Sequence, residues 1–149
     1  ARAFPRANVI GSDLSAGALQ VARRNVRLHQ LEQRVQLVRS DLFDQLAASR
    51  ACGFDLILSN PPYVNARSMA ALPAEYRHEP PMALASGSDG FDLLRRLLRE
   101  AATWLRPDGW LVVEVGHARA RVERAFPQLP MTWLDTSAGD DCVFRVLKP

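Results

Sequence analysis

The chain has 149 residues, of which 48% are hydrophobic and 23% are charged, and its formal net charge at pH 7 is +3. This length and composition predict one globular domain with a substantial buried core, and they exclude a largely disordered chain. No apolar stretch approaches the roughly 20 residues that a membrane-spanning helix requires, and no signal-like segment opens the sequence. We therefore expect a cytoplasmic protein with no membrane partner.

The residue types that most often bind metals are few and widely separated. The two cysteines are Cys52 and Cys142, and the three histidines are His29, His78 and His117. None of them has the short spacing that is typical of a metal site. We expect two reduced thiols and no bound metal.

The basic side chains are almost all arginine, with Lys148 the single lysine, and the isoelectric point is about 9.4. Such a charge would suit a partner rich in RNA, for example a ribosomal particle. An ordinary solvated surface explains the charge better when charge is considered alone.

Helical and strand patterns alternate along the chain. The predicted strands span Asn8 to Gly11, Arg34 to Val38, Phe54 to Ser59, Trp110 to Val115, Met131 to Leu134 and Cys142 to Leu147. The predicted helices run from a Ser15 cap to Leu28, from Phe91 to Leu105, where Pro107-Asp108-Gly109 ends the pattern, and from Arg119 to Ala125, with a further turn or two between Leu42 and Ser49. Strands that alternate with helices predict an α/β fold with a mainly parallel sheet covered on both faces.

Asn60-Pro61-Pro62-Tyr63, the Asn60–Tyr63 loop, directly follows the predicted strand Phe54 to Ser59. The apolar strand is typical of one buried on both faces, and the first proline must end it because proline has no N–H for the sheet. The loop is therefore expected to be rigid and exposed. The Asn60 side-chain oxygen and nearby backbone carbonyls can accept hydrogen bonds from a substrate NH2 group, while the Tyr63 ring lies against its plane.

This arrangement of residue types favours methyl transfer to a planar nitrogen. The lone pair of an amide or aromatic amine is delocalised, so the nitrogen is a poor nucleophile until carbonyl acceptors hold its N–H groups and stabilise the growing positive charge. We expect direct in-line displacement at an electrophilic methyl group, without a covalent enzyme intermediate. The alternative is that the loop is merely a stiff turn that ends a strand.

Polar side chains also follow the first two predicted strands. In an open parallel sheet, ligands bind beyond the carboxyl ends of the strands, where Asp13, Asp41 and Asn60 are expected to lie. Asp13 could accept both hydroxyls of a ribose, and Asp41 could accept from an adenine amine while the Leu42 N–H meets the ring. As an alternative, each aspartate could cap a helix.

The stretch from Val64 to Ser88 has no clear period and carries Tyr76-Arg77-His78-Glu79-Pro80-Pro81. Long segments of this kind inside compact domains are usually functional or disordered. We expect an ordered lid over the substrate.

Two further stretches, Leu72 to Pro80 and Leu84 to Gly90, join Asn60 to Val64 and Asp140 to Phe144 in one family pattern. Together they resemble the HemK-type class I methyltransferases, which use S-adenosyl-L-methionine to methylate a glutamine side-chain nitrogen. The sequence is most similar to the PrmB branch, which modifies a glutamine in protein three of the large ribosomal subunit, and the similarity runs the whole length of the chain. Adenine methyltransferases of nucleic acids share only the motif at Asn60.

The resemblance implies a Rossmann-like class I methyltransferase sheet, mainly parallel with an antiparallel last strand, and S-adenosyl-L-methionine as cofactor. It implies cofactor contacts at Asp13, Leu14, Asp41, Leu42 and Asn60, with Asp13 at the ribose and Asp41 at the adenine. It also implies catalytic and substrate-binding roles for Asn60, Pro61, Pro62 and Tyr63, and a pocket wall at Glu79 and Pro80. Glu75, Arg77 and His78 are candidate substrate contacts, with an internally hydrogen-bonded loop as the alternative.

One feature of the family has no counterpart in this sequence. Members carry a glycine-rich loop after their first strand, whereas the close glycine pair here, Gly87 and Gly90, follows no strand and is expected to form a turn. The opening Ala1 to Pro5 resembles the end of the helix that follows that loop. We therefore expect residues 1–149 to be a partial catalytic domain from the C-terminal part of a longer protein, lacking the first strand, the loop and a helical N-terminal domain, and to bind the cofactor poorly by itself.

The leading hypothesis is N5-methylation of a glutamine in a large-subunit ribosomal protein, with ribosomal RNA as an indirect partner. Glutamine methylation of peptide-chain release factors and adenine-N6 methylation of DNA or RNA are the enzymatic alternatives. An inactive fragment or non-catalytic domain is the alternative of another class. A nicotinamide-dependent oxidoreductase would leave the Asn60–Tyr63 loop without a role.

Overall fold

The computed structural model describes residues 1–46, 53–63, 87, 89–137 and 139–148. The chain divides into two compact units, Ala1–Ala51 and Cys52–Pro149. Of the predicted lid, Val64 to Ser88, only Gly87 lies in the described part of the chain, so Glu79 and Pro80 fall outside it, as does Cys52.

The first unit is a strand–helix–strand arrangement. It consists of β1 (Val9–Asp13), α1 (Ala16–Leu28) and β2 (Val35–Arg39), and the two strands are parallel. Ser15 caps α1 as predicted, because its Oγ accepts a hydrogen bond from the Ala18 N–H at 3.2 Å. Leu19 is the buried residue of α1.

The second unit is a four-stranded sheet with two helices. Its elements are β3 (Phe54–Ser59), α2 (Asp92–Trp104), β4 (Leu105–Glu114), α3 (Arg119–Ala125), β5 (Thr132–Thr136) and β6 (Gly139–Leu147). The strand order is β3-β4-β6-β5, with β3 parallel to β4 and β6 antiparallel to both of its neighbours. The α/β class and the antiparallel last strand are therefore confirmed.

The core of the second unit follows from two periodicities in the sequence. On α2 the residues Leu94, Leu97, Ala101 and Trp104 are buried, which is the i, i+3, i+7, i+10 spacing of one helix face. On β4 burial alternates through Leu111, Val113 and the following Val115, which is the period of a strand. From β6, the antiparallel partner of β4, the side chains of Cys142, Phe144 and Val146 are buried in the same alternating way.

The boundary between α2 and β4 differs from the prediction. The helix ends at Trp104 rather than Leu105, and residues 106–109 lie inside β4 as an irregularity, since Leu105 pairs with Phe54 while Trp110 pairs with Leu56. Gly109 allows this close approach, because a Cβ atom there would lie 2.7 Å from the Phe54 carbonyl oxygen. Pro107 and Gly109 therefore lie in a bulge within β4 instead of separating α2 from β4.

The prediction that β3 is buried on both faces is wrong. Leu56 is 46% exposed and Leu58 is 70% exposed. Among the described residues β3 is an edge strand of its sheet, hydrogen-bonded to β4 alone, and an edge position covers side chains less completely than a central one. An apolar run alone cannot distinguish the two positions.

The remaining predicted elements are confirmed to within a few residues at their ends. Of the segment between Leu42 and Ser49, residues 42–45 lie in turns, and Gly87 and Gly90 have positive φ angles, as a turn before α2 requires. Among the described residues, no helix is long and apolar enough to cross a membrane.

Asp89 should make the stability of the second unit sensitive to pH in the acid range. Its carboxylate bonds to Arg95 at 2.5 Å and accepts the Phe91 N–H at 3.0 Å, and these bonds lower the pKa of Asp89 to about 2. A lowered folded-state pKa stabilises the fold above about pH 4, and this contribution is lost as the pH falls toward 2. Urea unfolding between pH 2 and 5 should show a shallower loss of stability in Asp89→Asn than in the original chain.

Asp92→Asn is the matched control for this prediction. Asp92 also contacts Arg95, but at 3.2 Å and with a side chain that is 67% exposed, so its removal should change the pH dependence less. Parallel loss of stability in the original chain and in Asp89→Asn would contradict the assignment.

Candidate functional site

The Asn60–Tyr63 loop leaves β3 at the carboxyl end of the sheet. Ser59, the last residue of β3, pairs with Val113 near the end of the parallel strand β4, so both strands deliver their following segments to one edge. Asn60 is exposed, Pro61 is buried and Tyr63 is partly buried. The prediction of an exposed loop therefore holds for Asn60 but not for Pro61, whose burial anchors the loop.

Gly116, which follows β4, lies directly against the Tyr63 ring. A Cβ atom on Gly116 would lie 2.8 Å from the Tyr63 hydroxyl oxygen and 3.0 Å from the adjoining ring carbon, and the φ angle of Gly116 is +51°. Both observations require glycine at this position. The sequence analysis did not identify Gly116, although a glycine directly after a predicted strand was the available signal.

In the first unit, the ends of β1 and β2 are tied together by two hydrogen bonds. The Ser40 N–H donates to the Asp13 carbonyl oxygen, and the Arg39 Nε–H donates to the Leu14 carbonyl oxygen, both at 3.1 Å. The two predicted cofactor-binding segments, at Asp13 and at Asp41, therefore lie at one edge of this strand pair.

The Asp13 carboxylate is exposed and held in a defined orientation. Its Oδ1 accepts the Ser15 N–H at 2.7 Å, which is an Asx turn, and Ser15 rather than Asp13 caps α1. The alternative in which Asp13 is the helix cap is therefore wrong. A carboxylate has about four acceptor positions, so Asp13 can accept further donors.

A buried serine holds the turn that carries Asp41 and Leu42. The Ser40 hydroxyl donates to the Leu42 carbonyl oxygen at 2.8 Å and accepts the Gln45 N–H at 3.1 Å, and the Asp41 N–H donates to the Gln45 side chain at 3.0 Å. Leu42 has a φ angle of 47°, a left-handed conformation that costs a non-glycine residue about 1–3 kcal/mol. Strain held by a hydrogen-bond network in this way is common at ligand-binding positions.

The structure thus forms two groups of predicted residues, one in each unit. Asp13, Leu14, Asp41 and Leu42 lie together in the first unit, and the Asn60–Tyr63 loop lies in the second. The predicted contacts at Glu75, Arg77, His78, Glu79 and Pro80 fall outside the described residues.

A third group, His117, Asp141 and Cys142, was missed by the sequence analysis. The His117 Nδ1 lies 3.4 Å from the Asp141 Oδ1 and 3.6 Å from the Cys142 Sγ, and the Sγ lies 3.4 Å from the same Asp141 oxygen. Cys142 is a buried thiol. More than 20 residues separate His117 from the other two, so no local spacing could have indicated the group.

Hydrogen bonds and burial shift the pKa values in this group. Burial raises the pKa of the Cys142 thiol, and the Asp141 carboxylate raises it further, followed by Glu114 and Asp140. Hydrogen bonds from Cys142 and then from His117 lower the pKa of Asp141.

Comparison with known proteins identifies the family. The family model of the methyltransferase small domain matches residues 1–75, which is half of the chain. The chain belongs to this family. It is 53% identical over 150 residues to the ribosomal protein uL3 glutamine methyltransferase of Burkholderia pseudomallei, covering 98% of this chain and 49% of that methyltransferase.

Other methyltransferases give the same result. The ribosomal protein uL3 glutamine methyltransferase of Neisseria gonorrhoeae is 50% identical over 145 residues, or 97% of this chain and 47% of its own length. The chain therefore spans about half the length of the curated methyltransferases it matches. The crystal structure of TrmN from Thermus thermophilus superposes with a TM-score of 0.61 over 98% of this chain and 38% of that chain, at 20% identity, which shows the class I methyltransferase fold.

Gly116→Ala should displace the Tyr63 ring, because the added methyl group overlaps the hydroxyl and the positive φ angle is strained. We expect a loss of about 1–3 kcal/mol in the free energy of unfolding and a shift of one of the two tyrosine ring signals in NMR spectra. Gly17→Ala, inside α1, is the matched control. A Cβ atom at Gly17 would lie 3.7 Å from the nearest atom, the Ser15 hydroxyl oxygen, so this substitution should be neutral or stabilising. Unchanged tyrosine signals in Gly116→Ala would contradict the contact.

Proposed function

We propose that this chain is the catalytic part of an S-adenosyl-L-methionine-dependent methyltransferase that methylates the side-chain amide nitrogen of a glutamine in ribosomal protein uL3. The observation that carries the proposal is the Asn60–Tyr63 loop, with an exposed amide between a strand end and a buried proline, and with Tyr63 packed against Gly116. The names of the relatives supply the protein substrate.

The residues of the first unit fit the adenosine part of the cofactor. Asp13 presents an exposed, oriented carboxylate with acceptor positions left for ribose hydroxyls. The strained turn at Leu42 and the neighbouring Asp41 would hold the adenine. When bound, S-adenosyl-L-methionine supplies the electrophilic methyl group.

The residues of the loop would activate the glutamine amide by position and electrostatics. The Asn60 side-chain oxygen and the Pro61 carbonyl each accept one N–H of the amide, which aims the nitrogen and stabilises the positive charge that develops on it. Tyr63, fixed by Gly116, lies against the plane of the amide. The proton leaves for solvent after the transfer, so the site needs no strong base.

The wider setting follows from this substrate. Glu79, Pro80 and the segment around them would line the substrate side of the pocket, and ribosomal RNA would be met only indirectly, through the ribosomal protein. Such an enzyme would act in the cytoplasm, where ribosomal proteins are made.

Asn60→Ala and Asp13→Asn should separate the chemical step from cofactor binding. In the natural full-length protein that carries this sequence, Asn60→Ala should lower kcat by about 10²–10³-fold with little change in cofactor affinity. Asp13→Asn should mainly raise the KM for the cofactor. Asn8→Ala, an exposed asparagine before β1, is the matched control. Equal losses of kcat and cofactor affinity in Asn60→Ala would assign Asn60 a structural role.

The substrate is tested by offering several acceptors side by side. Radiolabelled methyl transfer should label uL3, but not peptide-chain release factors or DNA, and the label should be absent with Asn60→Ala. Label in release factors alone would show that the enzyme methylates a glutamine of release factors instead of uL3. Label in DNA alone, or none in any acceptor, would overturn the proposal.

A further inference from the structure

The three side chains of His117, Asp141 and Cys142 come from two segments that β4 and β6 bring together. The Val115 N–H donates to the Cys142 carbonyl oxygen at 2.8 Å, which fixes the end of β4 against β6. His117 follows two residues later, after the glycine that contacts Tyr63. The position of the group is therefore set by the sheet rather than by a mobile surface loop.

The three ligand atoms are spaced as a tetrahedral metal site requires. Zinc bonds to nitrogen, oxygen and sulfur are about 2.0–2.3 Å long, and tetrahedral angles then place the ligand atoms about 3.3–3.6 Å apart. The observed separations between nitrogen, oxygen and sulfur are 3.4, 3.6 and 3.4 Å. All three edges thus match the same face of one tetrahedron.

We propose that His117, Asp141 and Cys142 bind one divalent transition-metal ion of the zinc class, with the fourth position open to solvent. Mixed nitrogen, oxygen and sulfur ligands of this kind suit zinc and cobalt better than magnesium or calcium, which prefer oxygen. The His117 side chain is 81% exposed, which gives an ion access to the site, while Cys142 is 3% exposed and supplies a protected sulfur.

The electrostatic surroundings of the group favour a cation, although the whole chain is positively charged. Glu114 and Asp140 add to the negative charge of Asp141 around Cys142. On binding, the Cys142 thiol gives its proton to solvent and its sulfur forms the metal bond as a thiolate, and the charge of the ion compensates for the surrounding carboxylates. No oxidant or reductant takes part in this step.

The proposal places a metal ion beside the loop of the proposed active site. His117 is adjacent to Gly116, against which Tyr63 packs. A bound ion would fix the segment after β4 and, through it, the ring of Tyr63. The role is one of positioning, separate from methyl transfer, so the site can be tested without an activity assay.

The direct test is titration of the reduced, purified chain with Co²⁺, whose bond to a thiolate gives a charge-transfer absorption in the near ultraviolet. We expect one Co²⁺ per chain, displaced by Zn²⁺, and no such absorption in Cys142→Ser. Cys52→Ser is the matched thiol control and should keep the signal. Absence of the signal from the original chain, or its loss in Cys52→Ser, would overturn the proposal.

The surface ligands provide a test that does not depend on the buried sulfur. Removing a residue that only contacts a metal ligand lowers metal affinity by about 10- to 100-fold. His117 is proposed as a direct ligand, so His117→Gln should lower the affinity for Co²⁺ at least as much, whereas His29→Gln should leave it unchanged. Asp141→Asn should weaken binding far more than Asp140→Asn, although each removes one negative charge. Equal effects within either pair would mean that Co²⁺ is attracted by diffuse surface charge, and the proposed site would be wrong.

Discussion

The pairing of β4 with strands on both of its sides is the constraint on which the second unit depends. β4 is hydrogen-bonded to the parallel strand β3 and to the antiparallel strand β6, so three segments that are distant in sequence meet at the carboxyl end of β4. The residues at this end are the Asn60–Tyr63 loop, Gly116 with His117, and Cys142. Every feature proposed for this unit follows from a register that is set by backbone hydrogen bonds and by the buried alternation of β4.

Two local features, the Gly116–Tyr63 contact and the burial of Pro61, fix the geometry at this end of the sheet. Gly116 lets the Tyr63 ring approach the backbone more closely than any other residue would allow, and Pro61 is buried beside an exposed Asn60. In the first unit the corresponding features are the buried Ser40 and Leu42, which is held in a left-handed conformation. Both units therefore use local rigidity at the carboxyl ends of parallel strands, where ligands of such sheets bind. Positioning of this kind suits a reaction that needs an aligned nitrogen more than it needs a base.

The sequence was a good guide to the elements and a partial guide to the site. The helices Ala16–Leu28 and Arg119–Ala125 could be predicted because capping and apolar spacing are local signals. The exposure of Leu58 could not, since an apolar strand reads alike at the edge and in the middle of a sheet. The bulge before Trp110 was also missed, because proline and glycine mark an interruption without saying whether a strand continues through it.

The sequence by itself determined the family and the order of strands and helices along the chain, because each of these is written in short runs of neighbouring residues. Only the tertiary structure decided that Tyr63 lies on Gly116 and that His117 lies within 3.6 Å of Cys142. These contacts join residues separated by tens of positions, and they exist only because β3, β4 and β6 pair in one register. Contacts between distant residues depend on how strands align, and neither composition nor local spacing carries that information.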